Sequence, residues 1–175
     1  MSALDQPSLL AELEPEFTDG LSAEEQTEAR EMLAWLVRDW AREADPTPDP
    51  EAVLGFQRED LAARTAGRDP AERLQALREH VLARLVDRLG ARTFALGRRI
   101  LAGDVDREDA RAQGEALRQE ADALAGELKE VPGMDATRRA LGDAAMEALF
   151  AIEGKAMSPR LARESGAAGG PPDIR

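Results

Sequence analysis

Glutamates stand in pairs on two predicted helices, and paired carboxylates are one way to hold a metal ion. Glu28 and Glu31 form one pair, and Glu127 and Glu130 form the other. Residues three apart are neighbours on a helix surface, and Mg²⁺ prefers carboxylate and water oxygens as ligands. Both pairs, however, fall away from the apolar stripes of their helices, where solvated charges normally lie. In a chain with 35 acids, we therefore expect four solvated side chains, no metal and no cofactor.

Three arginines at four-residue spacing, Arg84, Arg88 and Arg92, are the second group that could do chemistry. If one helix continues through this region, they form a ridge on its surface. Guanidinium groups bind phosphate and carboxylate through paired hydrogen bonds, so the ridge could bind a phosphate or an acidic partner. The competing interpretation is that the ridge pairs with the acidic first part of the same chain, in ion pairs of about 0–1 kcal/mol each.

Both tryptophans fall on one predicted helix, and they face opposite sides of it. At about 100° per residue, Trp40 joins an apolar stripe that includes Leu33, and it is predicted to be buried. Trp35 lies on the other side, near Arg38. We expect Trp35 to be covered by the N-terminal segment (residues 1–20), whose leucines need a surface to bury against. Otherwise it is expected to bind a partner, because Trp and Arg are frequent at binding hot spots.

The chain lacks the residues that several common chemistries require. It has no cysteine and a single histidine, His80. Thiolate sites, di-iron bundles with two Glu-x-x-His pairs and His-Glu-x-x-His zinc sites are therefore excluded. His80 lies beside an apolar stripe, and without a nucleophile-elbow sequence it is expected to be an ordinary surface or boundary residue. Neither GxxxxGK[ST] nor GxGxxG occurs, so no phosphate-binding loop is predicted.

The elements that position these residues are predicted to be helices throughout. Ala, Leu, Glu and Arg are abundant, and aromatic residues make up only 3% of the chain. Good helix formers with few aromatic or β-branched residues favour an all-α fold. We predict a single-domain bundle of five or six helices in three parts: an N-terminal arm with a short helix (1–20), the bundle itself (21–154) and a flexible tail (155–175).

The pattern of apolar residues defines the helices clearly in residues 106–153 and less clearly in residues 70–102. Residues 106–131 and 136–153 carry apolar residues at three- and four-residue spacing on either side of the connection VPGMD. This pattern predicts a C-terminal antiparallel helical hairpin. Residues 70–102 are also helical in pattern, but glycine weakens a helix interior. We expect a break near Gly90, and one continuous helix is the open alternative.

Net charge limits the possible partners. The chain carries −12 at pH 7, which disfavours nucleic acid and anionic membranes because both bind basic surfaces. Only residues 54–103, with ten arginines against six acids, are locally basic. No window approaches the roughly 18 apolar residues of a membrane span, and the first residues do not resemble a secretion signal. We therefore expect a soluble, cytoplasmic protein.

Two functional hypotheses follow from these residues. The favoured one is a non-enzymatic protein–protein interaction module, meaning an adaptor, assembly factor or small regulator. It would bind another protein, or itself, through Trp35, Arg38, Arg84, Arg88 and Arg92. The alternative is an enzyme, a Mg²⁺-dependent helical nucleotide pyrophosphohydrolase built on the paired glutamates. Nucleic-acid binding ranks below both because of the net charge and the lack of a recognisable motif.

Overall fold

The computed structural model describes residues 6–153, which fold into α-helices and contain no strand. The six helices are α1 (Gln6–Thr18), α2 (Ala23–Ala44), α3 (Pro50–Thr65), α4 (Pro70–Ala102), α5 (Arg107–Lys129) and α6 (Asp135–Glu153). The predicted all-α bundle with a C-terminal hairpin is confirmed. The predicted flexible tail, 155–175, lies outside the described residues. Within residues 6–153, no helix combines the length and the apolar character that a membrane span requires.

Side-chain caps define where several helices begin. Ser22 and Glu25 form a reciprocal capping box at the start of α2, in which the Ser22 backbone N–H donates to Glu25 Oε2 over 2.9 Å. The Ser22 hydroxyl donates to the same oxygen over 2.6 Å, and together these bonds lower the pKa of Glu25. Asp49 and Asp106 cap α3 and α5. Each cap satisfies backbone N–H groups that have no partner inside the helix.

The expected break near Gly90 is wrong, because α4 runs through it without interruption. A glycine in a helix interior costs about 1 kcal/mol relative to alanine. Val86 and Leu89 on one side of Gly90, and Thr93 and Leu96 on the other, are all buried. Burial of one large apolar side chain contributes about 1.5–3 kcal/mol, so packing on both sides outweighs the glycine.

The described chain divides within α4, between Val81 and Leu82, into two compact units. The first unit (residues 6–81) packs α1, α2, α3 and the first part of α4 around large side chains. Its fully buried residues include Phe17, Leu33, Leu36, Trp40, Leu61 and Leu77. His80 also lies in this unit and is buried, with Nδ1 4.0 Å from Asp60 Oδ2. The expected surface or boundary position of His80 is therefore wrong.

The second unit (residues 82–153) contains the rest of α4 and the α5–α6 hairpin. Its core is built from leucine, valine, methionine and alanine, with no aromatic residue in the buried cluster. The hairpin turns at Gly133, whose φ of +82° is a left-handed conformation that favours glycine. Near the other end of the hairpin, Gly114 lies so close to α6 that an added Cβ would be 2.5 Å from Ile152 Cγ1. The two helices therefore pack backbone against backbone at this point.

Candidate partner-binding sites

The structure confirms the predicted position of one tryptophan and gives no support to the expected cover of the other. Trp40 is fully buried, which confirms its predicted core position. Trp35 is half-buried. Glu14 of α1 pairs with Arg30 of α2, which lies about 140° around the helix from Trp35. Among the described residues, this ion pair places α1 on another side of α2, so it gives no support to the expected cover of Trp35 by the N-terminal segment.

The side of α2 that holds Trp35 is a second packed surface rather than a solvated one. Glu28 lies seven residues before Trp35, and therefore on the same side of the helix. Its carboxylate accepts hydrogen bonds from Arg78 Nε over 3.0 Å and from Arg78 Nη2 over 2.5 Å. Asp39, one turn beyond Trp35, is buried. Arg38 is exposed, so of the two predicted site residues on α2 it is the more accessible.

The arginine ridge on α4 is only partly available to a partner. Because α4 is continuous, Arg84, Arg88 and Arg92 do follow one another along a single helix. Arg84 and Arg88 are half-buried and already engaged in interactions. Arg92 is exposed, and its Nη1 donates to both carboxylate oxygens of Glu120 on α5, over 2.6 and 2.9 Å. The accessible part of the predicted ridge is therefore Arg92.

A groove of about 300 Å³ lies beside Arg92 between α4 and α5, within the second unit. We call it the α4–α5 groove; its main lining residues are Arg92, Ala95, Leu96, Arg99, Ala116 and Leu117. Arg99 Nη1 donates to Gln113 Oε1 over 3.2 Å. The two guanidinium groups therefore reach from α4 to α5, two helical turns apart, and alanine and leucine side chains lie between them. This combination of an apolar floor and a cationic rim suits an acidic amphipathic segment.

The sequence contained a signal for this groove that our sequence analysis did not use. Arg92 and Arg99 are seven residues apart, which places them on the same side of one helix. This relationship requires only that residues 92–99, including Gly97, form one helix. Ala95 on α4 and Ala116 on α5 leave room between the helices, and their juxtaposition depends on how the two helices pair.

A second cleft, of about 220 Å³, lies between α1, α2 and α3 in the first unit. Leu9, Val37 and Leu54 contribute its apolar surface. Glu12 and Arg58, which also line the cleft, pair with each other at 2.8 Å. Glu51 also lines the cleft, so two carboxylates stand against one guanidinium that is already paired, and the cleft offers no cationic group to an acidic partner. It is better understood as the seam along which α1 packs.

The exposed aromatic side chain of the first unit is Phe56 on α3, with 67% of its surface accessible. Ala52, Glu59 and Ala63 share its side of the helix by spacing, and none of them adds a large apolar surface. Single exposed apolar residues are common on folded proteins. Phe56 therefore does not define a site.

The paired glutamates do not form a metal centre in the structure. Glu28 is bound by Arg78, while Glu31, Glu127 and Glu130 are exposed. Across residues 6–153, no three carboxylate or imidazole side chains are grouped so that they could hold a metal ion. Glu28 and Glu31 belong to the first compact unit and Glu127 and Glu130 to the second. The geometry of the described residues therefore gives the metal hypothesis no support.

Comparison with known proteins gives no match to this chain among protein-family models, curated proteins or solved structures. No relative therefore suggests a substrate or a partner. A functional proposal must therefore be based on the geometry of the α4–α5 groove and the residues around it.

Proposed function

We propose that this protein is a non-enzymatic interaction module that binds a partner protein through the α4–α5 groove. The observation that supports the proposal is the pair of arginines, Arg92 and Arg99, on either side of an apolar floor. A helix with small apolar residues facing Leu96 and Leu117, and acids about seven residues apart, would match both features. Of the five residues predicted as the binding site, the proposal retains Arg92 and adds Arg99.

The energetics of the rim are compatible with partner exchange. The Arg92–Glu120 pair is substantially exposed, and such pairs are worth about 0–1 kcal/mol. A partner carboxylate can therefore replace Glu120 at little cost. Arginine binds carboxylates in two parallel hydrogen bonds, which would fix the position of the partner, while burial of the groove floor would contribute about 25 cal/mol per Å² of apolar surface.

The same reasoning ranks the other partner classes. A net charge of −12 makes nucleic acid and anionic lipid surfaces poor ligands, so a protein ligand is the better fit. Self-association would require a second copy to present an acidic helix to the groove. A cytoplasmic location is part of the proposal and is tested by cell fractionation. No feature of residues 6–153 favours the alternative of a Mg²⁺-dependent pyrophosphohydrolase.

The test has two stages, of which the first finds the ligand. A photo-crosslinking amino acid replaces Ala95 in the groove, or the exposed Ala63 on α3 as a control, and crosslinked proteins are identified by mass spectrometry. In the second stage, binding of a purified protein captured only at Ala95 is measured with the double variant R92E/R99E. The matched control is R98E/R111E, which makes the same charge change at exposed positions of the same two helices.

We expect R92E/R99E to weaken binding by at least tenfold, and R98E/R111E to change it less than threefold. The milder variant R92Q/R99Q should show an intermediate loss, and circular dichroism verifies that each variant is folded. Equal loss in the two charge-reversed variants would show that only net charge matters, and it would overturn the proposal. Unchanged binding in R92E/R99E would overturn it as well.

A further inference from the structure

The outer face of α5 has the features that the α4–α5 groove requires of its occupant. Ala116, Ala123 and Glu127 are exposed on this helix, and steps of seven and four residues place them on one side of it. Glu120 and Glu127 are also seven residues apart, which is the spacing of the two arginines on the rim of the groove. The same helix therefore presents small apolar residues and two acids at matching intervals.

The directions of α4 and α5 can be read from the contacts across the groove. Arg92 pairs with Glu120, whereas the later Arg99 bonds to the earlier Gln113. The two helices are therefore antiparallel, and each level along α4 corresponds to a known level along α5. The apolar floor of the groove lies midway between the levels of the two arginines.

One antiparallel register of a second copy matches all of these features. In this register the Glu120 side chains of the two copies lie at the same level, near a two-fold axis. Counting seven residues in opposite directions along the two α5 helices places Glu127 of the second copy at the level of Arg99. The same count places Ala123 of the second copy level with Leu117 in the groove floor.

We propose that the occupant of the α4–α5 groove is α5 of a second copy of this chain, in an antiparallel two-fold dimer. The proposal rests on the proposed function, because it names the partner of the same groove. In a two-fold dimer each copy offers one groove and fills the other, so every contact forms twice. The α4 and α5 helices of both copies together form the interface.

Charge complementarity supports this choice of occupant. The Arg99 guanidinium bonds to a neutral amide, that of Gln113, over 3.2 Å. Arginine makes stronger hydrogen bonds to a carboxylate, so Glu127 of the second copy would replace a weaker contact by a stronger one. Near the two-fold axis, the Arg92–Glu120 pairs of both copies form a network of alternating charges, which contributes more than isolated surface pairs do.

Small side chains allow the two α5 helices to approach each other. Ala116 of one copy lies within one residue of the level of Ala123 of the second copy. Both alanines are exposed in a single copy, and neither adds a side chain that would hold the helices apart. The groove therefore accommodates this helix without rearrangement of its floor.

The first test measures the oligomeric state of the full chain by sedimentation equilibrium. R99E and E127R each place like charges opposite one another, whereas the double variant R99E/E127R exchanges the two charges and restores the pair. R98E and E31R are the matched controls, because they make the same charge changes at exposed positions outside the groove. Circular dichroism verifies that each variant is folded.

We expect the dissociation constant of the dimer to rise at least tenfold in R99E and in E127R. It should return to within threefold of the original value in R99E/E127R, and change less than threefold in both controls. A full chain that is monomeric at every concentration would overturn the proposal. A double variant as weak as the single variants would also overturn it.

These outcomes separate the dimer from the proposed function. If the chain is monomeric but R92E/R99E still weakens the binding of a protein captured at Ala95, the groove is a binding site and its occupant is a different chain. If the chain is a dimer that R92E/R99E does not affect, copies associate through another surface, and the proposed occupant is wrong.

The second test examines the register, and the lack of native cysteine makes it possible. A mixture of A116C and A123C should form disulfide-linked dimers under mild oxidation, because these two positions lie at nearly the same level. In A116C alone the two cysteines are offset by about 12 Å along the helix axis, and in A123C alone by about 9 Å. Equal yields of linked dimer in the mixture and in either single variant would overturn the antiparallel arrangement.

Discussion

The two compact units join their helices by different means. The first unit uses large side chains, with Phe17 and Trp40 fully buried in its core. Ion pairs between helices occur in both units, for example Glu28–Arg78 in the first and Arg92–Glu120 in the second, so the difference lies in the core. The buried cluster of the second unit has no aromatic residue, and alanines are prominent in it. There, Gly114 allows α5 and α6 to pack at close range.

This difference determines how each unit should respond to mutation. A core filled by large side chains loses stability when one of them is removed, because the cavity left behind closes only in part. A seam of small residues loses stability when a side chain is enlarged, because the helix backbones have no room to separate. The first unit should therefore be sensitive to truncation and the second to added volume.

The largest effect is expected from Trp40→Ala in the first unit. Trp40 is fully buried, and removal of a buried aromatic side chain typically costs about 3–5 kcal/mol. Urea denaturation followed by circular dichroism measures the loss in the free energy of unfolding. Trp35→Ala on the same helix is the matched control, and we expect a smaller loss because Trp35 is half-buried. Equal losses for the two tryptophans would show that burial does not separate their roles.

A smaller loss is expected from Gly114→Ala in the second unit. The added Cβ would lie 2.5 Å from Ile152 Cγ1 and 3.1 Å from the Ile152 backbone nitrogen. The side-chain atom can move, but the backbone can do so only if the helices separate. We expect destabilisation of about 1–3 kcal/mol, as for other overpacked cores, measured by the same denaturation.

Gly126→Ala provides the control on the same helix. An added Cβ at Gly126 has nothing within 4 Å, so alanine should be neutral or stabilising there because of its higher helix propensity. If Gly114→Ala were as well tolerated as Gly126→Ala, the close packing of the hairpin would not contribute to stability. The contrast between the two units would then be lost.

The features that the sequence predicted correctly depend on neighbouring residues. The apolar stripe that buries Trp40 is a local pattern, and so are the side-chain caps that the structure shows at Ser22 and Asp106. Each can be recognised within about two helical turns. Each therefore forms unless tertiary contacts disrupt it. The α5–α6 hairpin belongs to the same class, since a short connection between two amphipathic helices leaves little choice of topology.

The features that the sequence did not predict depend on which elements meet. The side of α2 that α1 contacts, near Arg30, depends on how these two helices meet, and the burial of Asp39 and His80 likewise requires neighbouring elements. The α4–α5 groove requires Ala116 to lie opposite Ala95, and the sequence contains no local signal for this pairing. The candidate groove therefore includes one residue of the predicted set, Arg92, while the role of Arg99 depends on the way α4 and α5 pair.

Gly90 shows both effects, because the local sequence around it favoured a break in the helix, whereas tertiary packing keeps α4 continuous. Nothing lies within 4 Å of a Cβ added at Gly90, so Gly90→Ala should stabilise the protein by about 0.5–1 kcal/mol through helix propensity alone. Gly55→Ala, inside α3 of the first unit and equally open, is the matched control and should give a similar gain. If Gly55→Ala stabilises while Gly90→Ala destabilises, α4 requires glycine for a bend that alanine cannot follow. The helix would then have two segments, as the sequence first indicated.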